Sequence, residues 1–300
     1  MVLGICFDEV VLLGSSRVFV RQGLHESRGP GVSSDSESAR SAPAGGEGRV
    51  SSVPSCLVLH GLGGGPYELG PLIEALEAAG CRVHAPVLPG HDGPGPFMPH
   101  SHWRDWERAV VEHFDALSAA GSPVTVVGFS TGATLALRLA LVRPIAGMVL
   151  LAPFLAIRHL GGLPFRARAV LGPAARLVRS IPRRGPAVRD PEMRRWAASQ
   201  DRFRTFSMIA TESALELIEQ IEPRVGEIHT PTLIIQGRLD TVVDPSRADW
   251  LYHRLGSTEK RLLIMDRSDH LLALDRDRKA VITKTLDFCL DRPIGCRREP

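Results

Sequence analysis

The chain has 300 residues, 44% of them apolar and 23% charged, with a formal net charge of +3. This composition excludes a disordered chain and a membrane bundle, and so small a charge gives no reason to expect a nucleic-acid partner. Cys6, Cys56, Cys81, Cys289 and Cys296 are an odd number with no C-x-x-C pair, so neither a disulfide framework nor a zinc site is suggested.

No apolar run reaches the roughly 18 residues needed to span a bilayer, so no transmembrane segment is expected. The start, MVLGICFDEV, has no basic region and carries Asp8 and Glu9, which argues against a secretory signal and for a cytoplasmic protein. Residues 24–52 are rich in Ser, Gly, Pro and charge and cannot bury enough apolar surface to offset their ordering entropy; they read as a disordered linker. Before them, VVLLG and RVFV are candidates for an edge strand. Residues 1–54 are thus an N-terminal extension.

From residue 55 strand-like and helix-like blocks alternate. CLVLH is followed by a glycine-rich loop and the helical pattern ELGPLIEALEAAG, closed by Gly80. Next come CRVHAPV (strand), HWRDWERAVVEHFDALSAAG (helix), PVTVVGF (buried strand), a helix from Thr131 to about Val142, and IAGMVLLAP (strand). The rhythm resumes with PTLIIQG (strand), DPSRADWLYHRLG (helix), KRLLIMD (strand) and DRKAVITKTLDFCL (helix). Alternation of this kind predicts an α/β fold, a mostly parallel central sheet flanked by helices. Residues 55–153 and 228–300 form its core. Residues 154–227 read as a helical insertion without a strand, and within it Ser213 and Glu216 match an S-x-x-E capping box. From Arg158 to Arg204 twelve arginines face only Asp190, Glu192 and Asp201, which reads as a solvated helical face, with an anionic substrate, lipid surface or partner as the alternative.

GFSTG places Ser130 where a buried strand meets a helix, with Gly128 and Gly132 relieving the crowding of a sharp turn. A serine hydroxyl attacks only if a base takes its proton and an acid orients the base. The strand–turn–helix serine resembles the nucleophile of α/β-hydrolases, and that resemblance implies the chain order serine, acid, histidine. His159 and His229 fall at the edges of the insertion and His253 within a helix. His270, in the loop RSDH after KRLLIMD, is the candidate base. Asp240, in GRLD, is the candidate acid; Asp244, before Pro245, suits a helix cap, and Asp269 reads as a loop residue. The N–H of Thr131 and that of Leu62, in HGLGGGP, are the candidate oxyanion donors. HGLGGGP lacks the Lys-Ser/Thr ending of a phosphate-binding loop.

The motifs HGLGGGP, LPGH, WRDW, GFSTG, GRLDTVVDP and SDHLLALDRD together resemble the bacterial carboxylesterase and monoacylglycerol lipase group of the α/β-hydrolase superfamily, over about residues 55–290. Thr131 stands where relatives often carry Met or Leu, and LPGHDG has one residue more than the common LPGHG. The resemblance implies a helical cap over the site and a serine esterase acting on short to medium acyl esters or monoacylglycerols, with Ser130 as nucleophile, His270 as base, Asp240 as acid and Leu62 and Thr131 as oxyanion donors. The expected partner is a small-molecule ester, of lipid or other origin; no cofactor and no metal are expected, and the chain is expected to be a monomer or a weak homodimer. A thioesterase or acyltransferase on the same three residues, or a non-catalytic binding protein on the same fold, is the alternative.

Overall fold

A computed structural model describes residues 12–13, 16–17, 53–92, 95, 97–158, 169, 172, 178–200 and 203–291. The chain divides into Met1–Ser51 and Ser52–Pro300. In the first unit β1 (Leu12–Leu13) and β2 (Ser16–Arg17) pair antiparallel with each other, so the expected edge strand is instead a short two-stranded sheet of its own. The linker expected at 24–52, His159, Cys6 and Cys296 lie outside the described residues.

The second unit is built on β3 (Ser55–Leu59), α1 (Gly70–Ala78), β4 (Arg82–His84), α2 (Trp103–Ser118), β5 (Val124–Phe129), α3 (Thr131–Ala140) and β6 (Gly147–Leu151). After an intervening segment come β9 (Thr232–Gly237), α6 (Ser246–Arg254), β10 (Lys260–Met265) and α7 (Arg278–Leu290). The six strands are parallel throughout, in the order β10-β9-β6-β5-β3-β4. Every residue of β3, β5, β6 and β9 is buried, as expected of strands covered on both faces. Side chains alternate between two cores: Leu57, Leu59, Val126, Met148 and Ile234 pack with α2 and α3, whereas Cys56, Val58, Val127, Val149 and Ile235 pack with α1 and α7. Burial of Trp103, Trp106, Val110 and Phe114 at three- and four-residue spacing explains why α2 lies flat on the sheet. α1 ends where expected: Gly80 adopts φ +86°, a conformation costly for residues with a Cβ.

Between β6 and β9 lie β7 (Ser180–Pro182), α4 (Pro191–Ser199), β8 (Thr205–Ser207) and α5 (Met208–Ile221). The expectation of an insertion without strands is corrected here: β7 and β8 form an antiparallel pair. At three residues each, one of them Pro182, they are too short for an alternating pattern to be read. The capping box is also corrected. Helix α5 begins six residues earlier than the S-x-x-E reading, with Ser207 Oγ accepting from the Ala210 N–H. Ser213 instead lies buried in mid-helix, where its Oγ accepts the N–H of Trp103, 2.8 Å away, at the start of α2. Ala210, Ala214, Leu215, Leu217, Ile218 and Ile221 join α5 to the core that holds α2 and α3.

Candidate active site

The chain runs from β3 outward to β4 and then returns to β5 on the opposite side of β3. The loops leaving the carboxyl ends of β3 and β5 therefore diverge, and a crevice opens at this switch point. All the sequence-predicted site residues sit at that edge of the sheet.

Ser130 closes β5 with φ 54° and ψ −118°, a left-handed conformation forced on a residue that carries a Cβ. The surroundings hold it there: its N–H donates to Leu151 O (2.9 Å) and its carbonyl accepts from Phe154 N (3.2 Å). Both flanking glycines are sterically required. A Cβ on Gly128 would stand 2.4 Å from Gly132 O, and one on Gly132 would stand 2.3 Å from Leu59 O. The tight turn directs Oγ toward His270, whose Nε2 lies 3.0 Å away, and His270 Nδ1 lies 2.8 Å from Asp240 Oδ2. Ser130 is 7% exposed, His270 5% and Asp240 0%.

Burial alone would lower the pKa of His270, but the hydrogen-bonded Asp240 carboxylate, with the charges of Glu68 and Asp269 behind it, holds the imidazole above the ordinary histidine value. For Asp240, burial pushes upward, yet the charge and hydrogen bond of His270 and the N–H groups of Val243 and Val242 hold it below the usual carboxylate range. Its remaining oxygen capacity is met by the Gln236 amide. In this arrangement Nδ1–H donates to Asp240, leaving Nε2 free to accept from the serine hydroxyl.

HGLGGGP leaves β3 directly beside the serine: a Cβ on Gly61 would lie 3.2 Å from Ser130 Cβ. His60 ties this loop to the chain after β4, donating Nδ1–H to Gly61 O and accepting the Leu88 N–H at Nε2. Burial and the neighbouring His91 push the pKa of His60 down to about 3, so it stays neutral in this role. Among the described residues no acceptor takes the N–H of Leu62 or of Thr131. Thr131 opens α3, so its N–H also carries the positive end of the helix dipole.

The structure thus brings Ser130, Asp240, His270, Leu62 and Thr131 to one sheet edge. His229 and His253 bond elsewhere, to Gly256 O and to the Asp249 carbonyl. Asp244 caps the chain ahead of α6, accepting from Ser246 N (3.0 Å) and Ser246 Oγ. Asp269 is more than a loop residue: it is buried, and its Oδ1 accepts from Thr241 N, Thr241 Oγ1 and His270 N, joining the loop of the acid to that of the base. Asp275, fully buried, holds the same loop through the Asp269 N–H and reaches the N–H groups of Arg189 and Asp190. Glu68 sits under the glycine loop, its carboxylate filling the space a Gly64 Cβ would need. The spacing of SDHLLALDRD was the visible signal for Asp275; nothing in the sequence marks Glu68.

Nor is the arginine-rich segment a uniform solvated face. Arg158 donates to Asp240 O, Arg183 to Gly63 O, and Arg189 Nε to Asp269 Oδ2 at 3.1 Å. Among the described residues no group of three or more His, Cys, Asp or Glu is placed to hold a metal ion, and no helix is long and apolar enough to cross a membrane.

A profile of the family described as serine aminopeptidase, S33, matches residues 52–277. The chain is 30% identical over 233 residues to a thermostable monoacylglycerol lipase of Bacillus sp. strain H-257, covering 77% of this chain and 88% of that one. It is 26% identical over 233 residues to a carboxylesterase of Bacillus subtilis strain 168, covering 77% and 90%. Among solved structures, one reported for the metagenome-derived lipolytic enzymes LipS and LipT superposes with TM-score 0.68 at 25% identity, covering 80% of this chain and 96% of that one. The monoacylglycerol lipase of Paleococcus ferrophilus superposes equally well, TM-score 0.68, at 21% identity over 80% and 96%, a likeness of fold. With the family profile matching about three quarters of its length, and a relative 30% identical over most of both chains, this chain belongs to the S33 serine aminopeptidase family of α/β-hydrolases.

Proposed function

We propose that the protein hydrolyses carboxylic esters through an acyl-enzyme on Ser130, with His270 as base, Asp240 as the acid that orients it, and the N–H groups of Leu62 and Thr131 as oxyanion donors. The observation that carries this reading is the continuous relay from Ser130 Oγ through His270 to Asp240, at 3.0 and 2.8 Å, from a serine with positive φ. In the first half-reaction the Oγ–H proton passes to His270 Nε2 as Oγ bonds to the ester carbon, and the carbonyl oxygen becomes an oxyanion facing the two N–H groups. Collapse of that intermediate breaks the carbon–oxygen bond to the alcohol, which leaves with the Nε2 proton. Water then repeats the sequence on the acyl-enzyme, releasing the acid and restoring Ser130.

The relatives named monoacylglycerol lipase and carboxylesterase support carboxylic esters or monoacylglycerols as the substrate class here; short to medium acyl chains are the proposed range. Residues 154–227 are proposed to cap the site, supported by the reach of Arg183 and Arg189 into its loops. A cytoplasmic location is supported by Cys56, Cys81 and Cys289, which are free and buried; burial and the Cys56 thiol hold Cys81 up at about 11, so it remains protonated. The test is hydrolysis of p-nitrophenyl esters from acetate to palmitate by the wild type and by Ser130→Ala. Loss of about 10⁴-fold or more in kcat with an unchanged melting midpoint is expected. Equal turnover by the variant would overturn the reading.

A further inference from the structure

Leu62 stands between two glycines that face different neighbours. Gly61 presses on Phe129 and Ser130, 3.1 and 3.2 Å from where its Cβ would be. Gly63, at φ +65°, presses on the β7–β8 pair: its Cβ would meet the Phe206 ring at 3.0 Å and Arg183 Nη1 at 3.1 Å. The same Nη1 donates to Gly63 O, and the guanidinium lies over the Phe206 ring, 4.5 Å from its centroid. Arg183 is itself held by the antiparallel pairing, its N–H donating to Arg204 O at 2.9 Å. The Gly63–Gly64 peptide is therefore gripped from outside the sheet by the Arg183 guanidinium, while Gly61, on the other side of Leu62, rests on the nucleophile turn.

We infer that Arg183 is a positioning residue for the oxyanion site: by holding the Gly63 carbonyl with a guanidinium stacked on Phe206, it fixes the course of the loop through Gly63 and so the orientation of the Leu62 N–H. The inference rests on the proposed serine-ester reading and assigns one arginine of the basic segment a task other than binding an anion. Arginine suits this place because its planar fork can stack on a ring and donate in its own plane at once, which a lysine does less well.

The test uses the full chain with Arg183→Ala, Arg183→Met and Arg183→Lys, with Ser130→Ala as control and a fluorophosphonate to titrate active sites. For p-nitrophenyl butyrate, kcat of the Ala variant is expected to fall about 10-fold, a fraction of the 10²–10³ lost when an oxyanion donor is removed outright. KM is expected to stay within about 2-fold, because the oxyanion is absent from the bound ester and forms only on the way to and in the tetrahedral intermediate. A trifluoromethyl ketone, which forms a tetrahedral oxyanion on the serine, should lose affinity by the same factor as kcat. Met keeps the reach and the apolar contact without a donor and is expected to behave like Ala, whereas Lys restores part of the rate.

An unchanged kcat for Arg183→Ala, while Ser130→Ala is inactive, would overturn the inference and leave the esterase reading standing. Equal rescue by Met and Lys, or a lowered kcat with unaltered ketone affinity, would also overturn it, reducing Arg183 to a packing residue. Loss confined to esters that carry a carboxylate, with neutral esters unaffected, would overturn it in favour of substrate recognition. Full turnover by Ser130→Ala would overturn the esterase reading and this inference together.

Discussion

The glycine loop after β3 is touched from two sides that are built in opposite ways. On the sheet side the nucleophile turn meets the end of β3 and the start of the loop backbone on backbone, with Gly132 against Leu59 O and His60 O, and only Gly61 meets side chains there, the buried Phe129 ring and Ser130 Cβ. On the side of β7 and β8 the contacts are made by side chains, Arg183 just after β7 and Phe206 within β8, where the short strands' residues are mostly part-exposed. The first kind of contact has no adjustable element, because neither peptide can move without displacing a central strand. The second is adjustable through rotamers. The difference teaches that the nucleophile geometry belongs to the core, whereas the oxyanion loop is set partly by a region that can differ in sequence without unfolding the sheet.

Four outcomes test that contrast. The largest is expected on the core side: Asp240→Asn keeps the shape of a side chain that is fully buried and takes four hydrogen bonds, but it removes the charge that orients His270. Loss of about 10⁴-fold in kcat is expected with the fold intact, as follows when the imidazole is left in the wrong tautomer. A loss under tenfold would mean that Asp269 can replace it.

Gly132→Ala should destabilise by about 4 kcal/mol or more, since the added methyl would overlap a strand carbonyl and cannot be relieved by a rotamer. Gly185→Ala, just after β7, has nothing within 4 Å of its new Cβ and is expected to stay within about 0.5 kcal/mol. Urea midpoints for the two variants check the pair. Similar values would erase the distinction between the two sides.

Ser213→Ala comes next, because α5 belongs to the inserted segment by sequence yet packs with the core. The substitution strips the acceptor from the buried N–H of Trp103 and should cost about 1–3 kcal/mol in urea unfolding. A cost near zero would place α5 with the adjustable side.

The sequence made the sheet legible because its strands are short apolar runs set between helical patterns, and Ser130, Asp240 and His270 because each follows such a run at the same edge. The β7–β8 pair escaped because strands of three residues carry no period. The S-x-x-E reading at Ser213 failed because the true start of α5 is capped by Ser207, preceded by TF rather than a polar turn, and the chain from Met208 is already helical. Asp269 and Arg183 were visible only as charges: what they do depends on which backbone groups the fold brings within reach, and pattern along the chain does not encode that.

Glu68 gives the smallest and most discriminating effect. His270 must be neutral to take the serine proton, and its pKa is raised above 6.5, so the acid limb of kcat/KM should lie above that pH. Glu68→Gln removes one of the negative charges that hold the imidazolium, so the limb should move to lower pH, with activity rising relative to wild type on its acid side. Glu68 and His270 are both 5% exposed, and buried charges are screened far less than exposed ones, so the displacement should survive high salt. Asp266→Asn is the control, four residues before His270 but with a side chain 70% exposed and paired with Arg238; its limb should stay in place. Displacement in both variants would mean that the base responds to the charge of its loop at large rather than to the buried carboxylate beneath the glycines, and the core would lose its claim to set the proton affinity of the site.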